Sequence, residues 1–274
     1  MAKMYDLWGK IKRTLLLAGA AGSALAAQSA LAAEKDNEAG IGFEAGFHTN
    51  EHANLKSLRQ NADFRHYDGK AGYSLDFSHT EYFGEMEGKN VEGRTNMFRA
   101  GIEGKLTDSL YLAPYVELRD DVDPLREFSQ DTQMMVTMGL NAEFLLAKPV
   151  SMVGGVRLSN RDNTNIDWAA NLGAIYYYND NWLSLRAAHW TESLRDVNTA
   201  MSYLVGKNKL TGDFDALWYF GAGTEYGKSE QAVFDFVTSF KYNFYGDWDL
   251  NIFYNFRHTR YTMNSCGMRL GVRF

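Results

Sequence analysis

The stretch Ala232-Val233-Phe234-Asp235-Phe236-Val237-Thr238-Ser239-Phe240-Lys241-Tyr242-Asn243-Phe244 decides the fold. Its even positions are Ala, Phe, Phe, Thr, Phe, Tyr and Phe, while its odd positions include Asp235, Ser239, Lys241 and Asn243. A repeat of two puts successive side chains on opposite faces of an extended strand. One face is therefore aromatic and the other charged. The same alternation runs from Trp248, where Leu250, Ile252, Tyr254 and Phe256 oppose Asp249, Asn251, Asn255 and Arg257. It also runs from Ile166, where Trp168, Ala170, Leu172, Ala174, Tyr176 and Tyr178 oppose Asp167, Asn171 and Gly173. From Met134, the residues Val136, Met138, Leu140, Ala142 and Phe144 oppose Thr137, Asn141 and Glu143.

Strands with one apolar face suit a soluble sandwich, which hides that face in a core, or a transmembrane barrel, which turns it to lipid. Three features favour the barrel. The segments run to about ten residues or more, the length that crosses a bilayer when tilted. Trp182, Trp190, Tyr178, Trp218, Phe244 and Trp248 stand at strand ends, where interfacial girdles belong. The polar faces carry full charges, which suits a wet lumen. At the C-terminus Cys266, Met268, Leu270, Val272 and Phe274 alternate with Gly267, Arg269, Gly271 and Arg273. The pattern Gly267-x-x-Leu270-x-Val272-x-Phe274 resembles the assembly signal of bacterial outer-membrane proteins, which implies insertion by the outer-membrane assembly machinery.

The N-terminus reads as an export address. Lys3, Lys10, Lys12 and Arg13 precede an uncharged run from Thr14 to Ala33 that contains Ala30-Leu31-Ala32, a small-x-small cleavage pattern. A membrane-anchoring helix is the competing reading, opposed by the small residues, Gln28 and the cleavage pattern. The expectation is a signal peptide over 1–32 and one barrel domain over 33–274. Cleavage removes four basic residues and one acid from totals of 28 and 34, leaving 24 basic against 33 acidic, a net −9. That balance argues against nucleic acid as a partner. A single cysteine excludes a disulfide framework and a multi-thiolate metal site. No later stretch of 18 residues lacks charge, so no transmembrane helix is expected.

Fourteen segments can be placed, near 39–49, 58–67, 71–83, 94–106, 110–119, 131–146, 151–161, 165–178, 182–190, 197–206, 214–226, 232–244, 248–258 and 264–274. Twelve is the alternative, since weak segments such as 58–67 could merge into loops. The fold expected is an all-β, single, antiparallel up-and-down transmembrane barrel. Short turns with Gly, Asp, Asn and Pro chemistry fit at 68–70, 107–109, 147–149, 179–181 and 245–247, with a longer connection at 207–213. The other connections, including 50–57 and 84–93, read as longer, more polar outer loops. An even count leaves both termini periplasmic.

Keeping parity, the lumen-lining candidates are Arg99, Glu117, Arg157, Asp167, Arg186, Tyr219, Asp235, Arg257 and Arg269. Arg65, Arg119, Arg161, Arg273, Glu44, Asp63, Asp76, Glu103, Glu143, Asp215 and Asp249 share that face. Both signs occur in similar number, so no simple anion or cation filter is evident. Pairing across the wall is the simpler use of these charges. Tyr115, Tyr177, Trp190, Tyr219 and Phe253 can pack in the lumen or stack on sugar rings.

Enzyme chemistry finds no support. A hydrolase needs a nucleophile, a base and an orienting group within reach. His189 and Ser193 would lie about 13 Å apart along a strand, and their surroundings lack the His-x-Ser-Asn-Gly pattern of the outer-membrane phospholipase. No histidine pair makes a metal set, and Asp120-Asp121-Val122-Asp123 reads as a solvated outer loop. No cofactor and no metal are expected.

Asp123-Pro124-Leu125-Arg126-Glu127-Phe128-Ser129-Gln130-Asp131 leads into a strand, followed by Gly154-Gly155-Val156-Arg157-Leu158, Ile166-Asp167-Trp168, Asn181-Trp182-Leu183-Ser184-Leu185-Arg186 and Trp218-Tyr219-Phe220-Gly221-Ala222-Gly223-Thr224-Glu225-Tyr226. Over residues 70–274 this order resembles the YaiO-type outer-membrane β-barrel family. The resemblance implies an outer-membrane location and, through relatives with sugar-polymer modules, surface polysaccharide handling. The expected function is passage or export of a polar solute such as polysaccharide, with a closed structural or adhesion barrel as the alternative. Expected partners are the lipid bilayer, lipopolysaccharide and the assembly machinery.

Overall fold

In the computed structural model, residues 37–49, 53–68, 71–86, 89–122, 133–161, 165–192, 196–227, 230–259 and 262–274 are described. The expected signal peptide lies outside them, as does the segment 123–132. The strands are β1 (Asn37–Thr49), β2 (Ala53–Tyr67), β3 (Ala71–Met86), β4 (Lys89–Thr107), β5 (Leu110–Val122), β6 (Gln133–Ala147) and β7 (Val150–Arg161). They continue as β8 (Asn165–Tyr178), β9 (Asn181–Glu192), β10 (Val197–Lys209), β11 (Phe214–Tyr226), β12 (Gln231–Phe244), β13 (Trp248–His258) and β14 (Thr262–Arg273). Each pairs antiparallel with its sequence neighbours, and β1 pairs with β14, closing a fourteen-stranded barrel.

Closure satisfies a hard requirement of lipid: no backbone donor or acceptor can be left open to hydrocarbon. The seam is fully laddered, from Glu38 opposite Arg273 to Thr49 opposite Thr262. Beyond it, the Phe274 amide donates to the Asn37 carbonyl at 3.1 Å, and Asn37 Nδ2 donates to the Phe274 carbonyl at 3.2 Å. Both ends of the described chain thus lie at one end of the barrel, the near end. The strands are staggered, as barrel tilt requires. The inner row Gly40–Asp63–Asp76–Arg99–Glu117–Thr137–Ser159–Asp167 starts four residues into β1 and arrives three residues into β8, close to the far end.

The alternation sorts the side chains as their chemistry demands. Ile102, Met138, Val156, Leu172, Leu185, Phe220, Phe240, Ile252 and Met268 point outward and are exposed. In water so much contiguous apolar surface would drive aggregation; against acyl chains it is the stable arrangement. Cys266 lies on this belt and is exposed. Asn179 and Tyr245 take positive φ of 52° and 50° in near-end turns, and Gly246 follows at 71°. Asn and Gly reach that region at least cost.

Two expectations need correction. Segments 50–57 and 84–93 are largely sheet, because β2 starts at Ala53, β3 runs to Met86 and β4 starts at Lys89. The outward side chains there are Asn54, Lys56, Glu81, Phe83, Glu85, Asn90, Glu92 and Arg94, so the outward face turns mostly polar while the ladder continues. This part of the sheet stands beyond the apolar belt. At its lower border, Asn96 Nδ2 donates to Asp120 Oδ2 at 2.8 Å, the Asn96 amide donates to Asp120 Oδ1 at 3.1 Å, and His79 Nδ1 lies 2.7 Å from Asn96 Oδ1. Asp120 is therefore a strand residue engaged by its neighbour, not part of a loop. Second, Trp182 and Trp190 do not belong to an outer girdle. Leu183 and Leu185 take the lipid face of β9, so both tryptophans turn inward. Tyr178, Trp218, Phe244 and Trp248 keep the outward parity.

Candidate functional site: the lumen wall

All nine lumen-lining candidates fall on the inner face, but they are held in different ways. At the seam, Arg269 of β14 sits among three carboxylates. Its Nε and Nη2 donate to Asp63 Oδ1 and Oδ2 at 2.8 and 2.6 Å. The same Nη2 donates to Glu38 at 2.9 Å, and Nη1 to Asp249 at 3.2 Å. This is the two-pronged geometry that makes arginine–carboxylate pairs strong. The guanidinium crosses β1 to reach β2, and only glycine leaves room: a Cβ at Gly40 would come within 2.5 Å of Arg269 Cζ. Lys241 adds a second cation to Asp249 at 3.3 Å. Four strands, β13, β14, β1 and β2, are thereby tied where the chain closes.

Ionic bracing extends on both sides. Arg257 pairs with Asp235 at 3.4 Å, Lys207 with Asp215 at 3.0 Å and Arg59 with Glu44 at 3.4 Å. Tyr219 donates its hydroxyl to Asp235 at 3.3 Å. On β4 and β5, Glu117 is held between Arg99 at 2.5 Å and Arg119 at 3.3 Å. Arg99 also lies over the Tyr115 ring, 4.7 Å from its centroid, and Arg257 lies 5.8 Å from the centroid of Trp190. Asp167 faces the lumen opposite Ser159.

The wall from β5 to β11 is built otherwise. Val153, Ile175, Trp182 and Val205 are buried there although they face the lumen, with Tyr177, Tyr203, Leu217 and Tyr219 packed against them. The rings of Tyr203 and Tyr219 lie 4.9 Å apart. Two acids on this side go to tyrosines: Tyr177 donates to Glu143 at 2.7 Å, and Tyr111 of β5 donates to Glu103 of β4. Arg186 gives its Nε to Ser184 Oγ at 3.0 Å, while its Nη2 is buried without a partner. Arg157 faces inward midway along β7 and is exposed. Inward-facing Asn141, midway along β6, is exposed as well. Sequence parity identified these residues but not their partners; tyrosine–carboxylate pairing across strands leaves no signal in a single sequence. The inner apolar cluster was also missed, because Val153 and Val205 occupy positions that parity assigns to a polar face.

His189 points outward and packs on Trp168, with ring centroids 4.9 Å apart. The assembly-signal residues Leu270 and Val272 face lipid on β14, Gly267 faces inward beneath the Phe253 ring, and Phe274 is exposed just past the strand end.

No protein-family model matches the chain, and no curated protein matches it. Its fold is that of solved outer-membrane barrels. The Pseudomonas putida toluene transporter TodX aligns with a TM-score of 0.61 at 9% identity, covering 94% of this chain and 93% of TodX. A bacterial polysaccharide outer membrane secretin aligns with a TM-score of 0.58 at 10% identity, covering 89% of this chain and 100% of that one. The translocator domain of the autotransporter NalP from Neisseria meningitidis aligns with a TM-score of 0.57 at 12% identity, covering 100% of this chain and 97% of that domain. Closed barrel, apolar belt and shared architecture make this chain an outer-membrane β-barrel.

Proposed function

We propose that the protein is a non-enzymatic channel that passes a polar solute, such as a polysaccharide, across the outer membrane. One observation carries this reading. Arg157 and Asn141 lie halfway along their strands, face inward and are exposed. A barrel filled by side chains would cover them; a wall in contact with water does not. The charged inner face also gives a hydrophilic path through the apolar belt, as in aqueous barrels. The likeness to transport barrels is one of fold and agrees with this reading without identifying a solute. Membership of the YaiO-type family belongs to the same proposal.

The test is single-channel conductance of the refolded mature protein in a planar bilayer. The expected result is steady, ohmic conductance. Silence from a correctly folded barrel would overturn the channel and favour a structural or adhesive barrel.

A further inference from the structure

The charges of the inner wall nearly balance when counted, but they do not balance when paired. Between β4 and β9, Tyr111 and Tyr177 occupy the carboxylates of Glu103 and Glu143, and Glu117 serves both Arg99 and Arg119. Among the described residues, no carboxylate forms an ion pair with Arg157 or Arg186. Arg186 lies against the wall, its Cγ 2.7 Å from where a Cβ of Gly173 would be, and its Nη2 has no acceptor. Arg157 is reached by water. Glu143 and Glu117 lie within electrostatic reach of Arg186 and Arg157 but take none of their donors, so this sector presents guanidinium donors that no carboxylate occupies, in a lumen where fixed cations draw anions.

The setting of Arg157 narrows the class of anion. Tyr115, Gly139, Arg157, Ala169 and Trp190 are successive members of one inner row. Small residues thus flank Arg157, with an aromatic ring about 10 Å away on either side at the usual strand spacing. The Tyr115 ring leans over Gly139, toward Arg157, since a Cβ on that glycine would overlap it. A guanidinium offers paired donors to a carboxylate, and the ring faces opposite those that Arg99 and Arg257 cover suit the apolar faces of sugar rings.

We propose that Arg157 and Arg186 make the lumen an anion path, with Tyr115, Arg157 and Trp190 forming a subsite for a carboxylate-bearing oligosaccharide. This rests on the channel reading above and goes against the negative charge of the whole chain. A lumen arginine with unoccupied donors outweighs distant surface acids because fields are screened within about 10 Å at 0.1 M salt.

The experiment measures reversal potential in a potassium chloride gradient, then block by digalacturonate, maltotriose and inorganic phosphate. The expected result is chloride preferred over potassium by about threefold or more, with digalacturonate blocking at about one-tenth the maltotriose concentration, the change that one charge-assisted contact supplies. Arg157→Gln and Arg186→Gln should each lower the chloride preference. Arg157→Gln should also remove the difference between the two sugars, and Arg157→Lys should restore the ion preference but not the full block. Since Arg157 is exposed, its variants test the proposal even where Arg186→Gln fails to fold. Steady conductance without anion preference would overturn the inference and leave the channel standing. Block by phosphate equal to that by digalacturonate would overturn the sugar assignment. A silent, folded barrel would remove the channel and the inference together.

Discussion

Around the seam formed by β13, β14, β1 and β2, carboxylates are held by arginine and lysine; on β4 to β9, two are held by tyrosine instead. Arg269 makes hydrogen bonds to Asp63, Glu38 and Asp249, so its charge is consumed where it stands. Arg186, also inward-facing, has one side-chain hydrogen bond, to Ser184, and an unpartnered Nη2. The contrast teaches that equal numbers of acids and bases do not leave every donor occupied. What matters is which donors take the acids. A tyrosine hydroxyl satisfies a carboxylate's lone pair without cancelling its charge or occupying an arginine. Near the seam, acid and base are fixed together; opposite it, Arg157 and Arg186 keep donors that no carboxylate occupies.

The largest way to break this contrast is at its fixed side. Arg269→Leu removes the guanidinium that bridges β14 to β2 and leaves Asp63 and Glu38, both largely hidden, without it. Removing one partner of such a buried set costs about 3–5 kcal/mol, mostly from the stranded charge. The expectation is a lowered unfolding midpoint in urea, read by loss of the heat-modifiable gel shift of the folded barrel. Arg269→Lys should recover only part of the loss, since one ammonium cannot reproduce the two parallel bonds to Asp63. A midpoint unchanged by Arg269→Leu would show that the backbone seam alone closes the barrel.

Tyr177→Phe sharpens the comparison from the other side. It deletes the hydroxyl that Glu143 accepts at 2.7 Å, at a cost of about 1–3 kcal/mol if the carboxylate stays unsatisfied. The released Glu143, already within electrostatic reach of Arg186, is then free to accept from its guanidinium. The expected readout is a chloride preference lower than that of the unaltered barrel, together with a modest loss of stability. A variant that loses stability but keeps its selectivity would show that tyrosine pairing braces the wall without setting its charge.

How much of this was legible before the structure depended on whether a residue acts through position or through partners. The outward run Phe234, Phe236, Phe240, Tyr242 and the inward run Asp235, Ser239, Lys241, Asn243 declare strand, lipid face and lumen face by alternation alone. Fourteen strands followed from counting such runs. Alternation failed where the outward face turns mostly polar, so the extensions of β2, β3 and β4 beyond the belt read as loops. It failed again at β9, where strand-end tryptophans suggested a girdle and Leu183 and Leu185 in fact hold the lipid side. The site was half legible. Parity put Arg157, Arg186 and Arg269 on one face, but register decides that Arg269 meets Asp63 across β1 while Arg186 meets Gly173 and Tyr203. Register is a property of paired strands, and no single strand carries it.

The smallest effect expected is the most informative about why an arginine sits opposite the seam. Arg186 pairs across its strands with Gly173 and Tyr203, the inner positions next to the buried Ile175 and Val205, and its long stem already packs against the wall at Gly173. Arg186→Met keeps the stem volume and deletes the charged head. A head with an ion-pair partner would leave that partner stranded, as at Arg269. Arg186 has none among the described residues, and only the Ser184 hydroxyl loses a contact. The apolar neighbours instead gain a side chain of matching character, which offsets that loss, since replacing a buried charge by a packed apolar group is often neutral or stabilising. The expected change in unfolding free energy is within about 1 kcal/mol of zero, measured under the same urea conditions as Arg269→Leu. Near-neutral stability with lowered chloride preference would assign Arg186 to the solute rather than to the fold. A loss as large as that of Arg269→Leu would mean that Arg186 has a structural partner after all, and that the two sides of the barrel are braced alike.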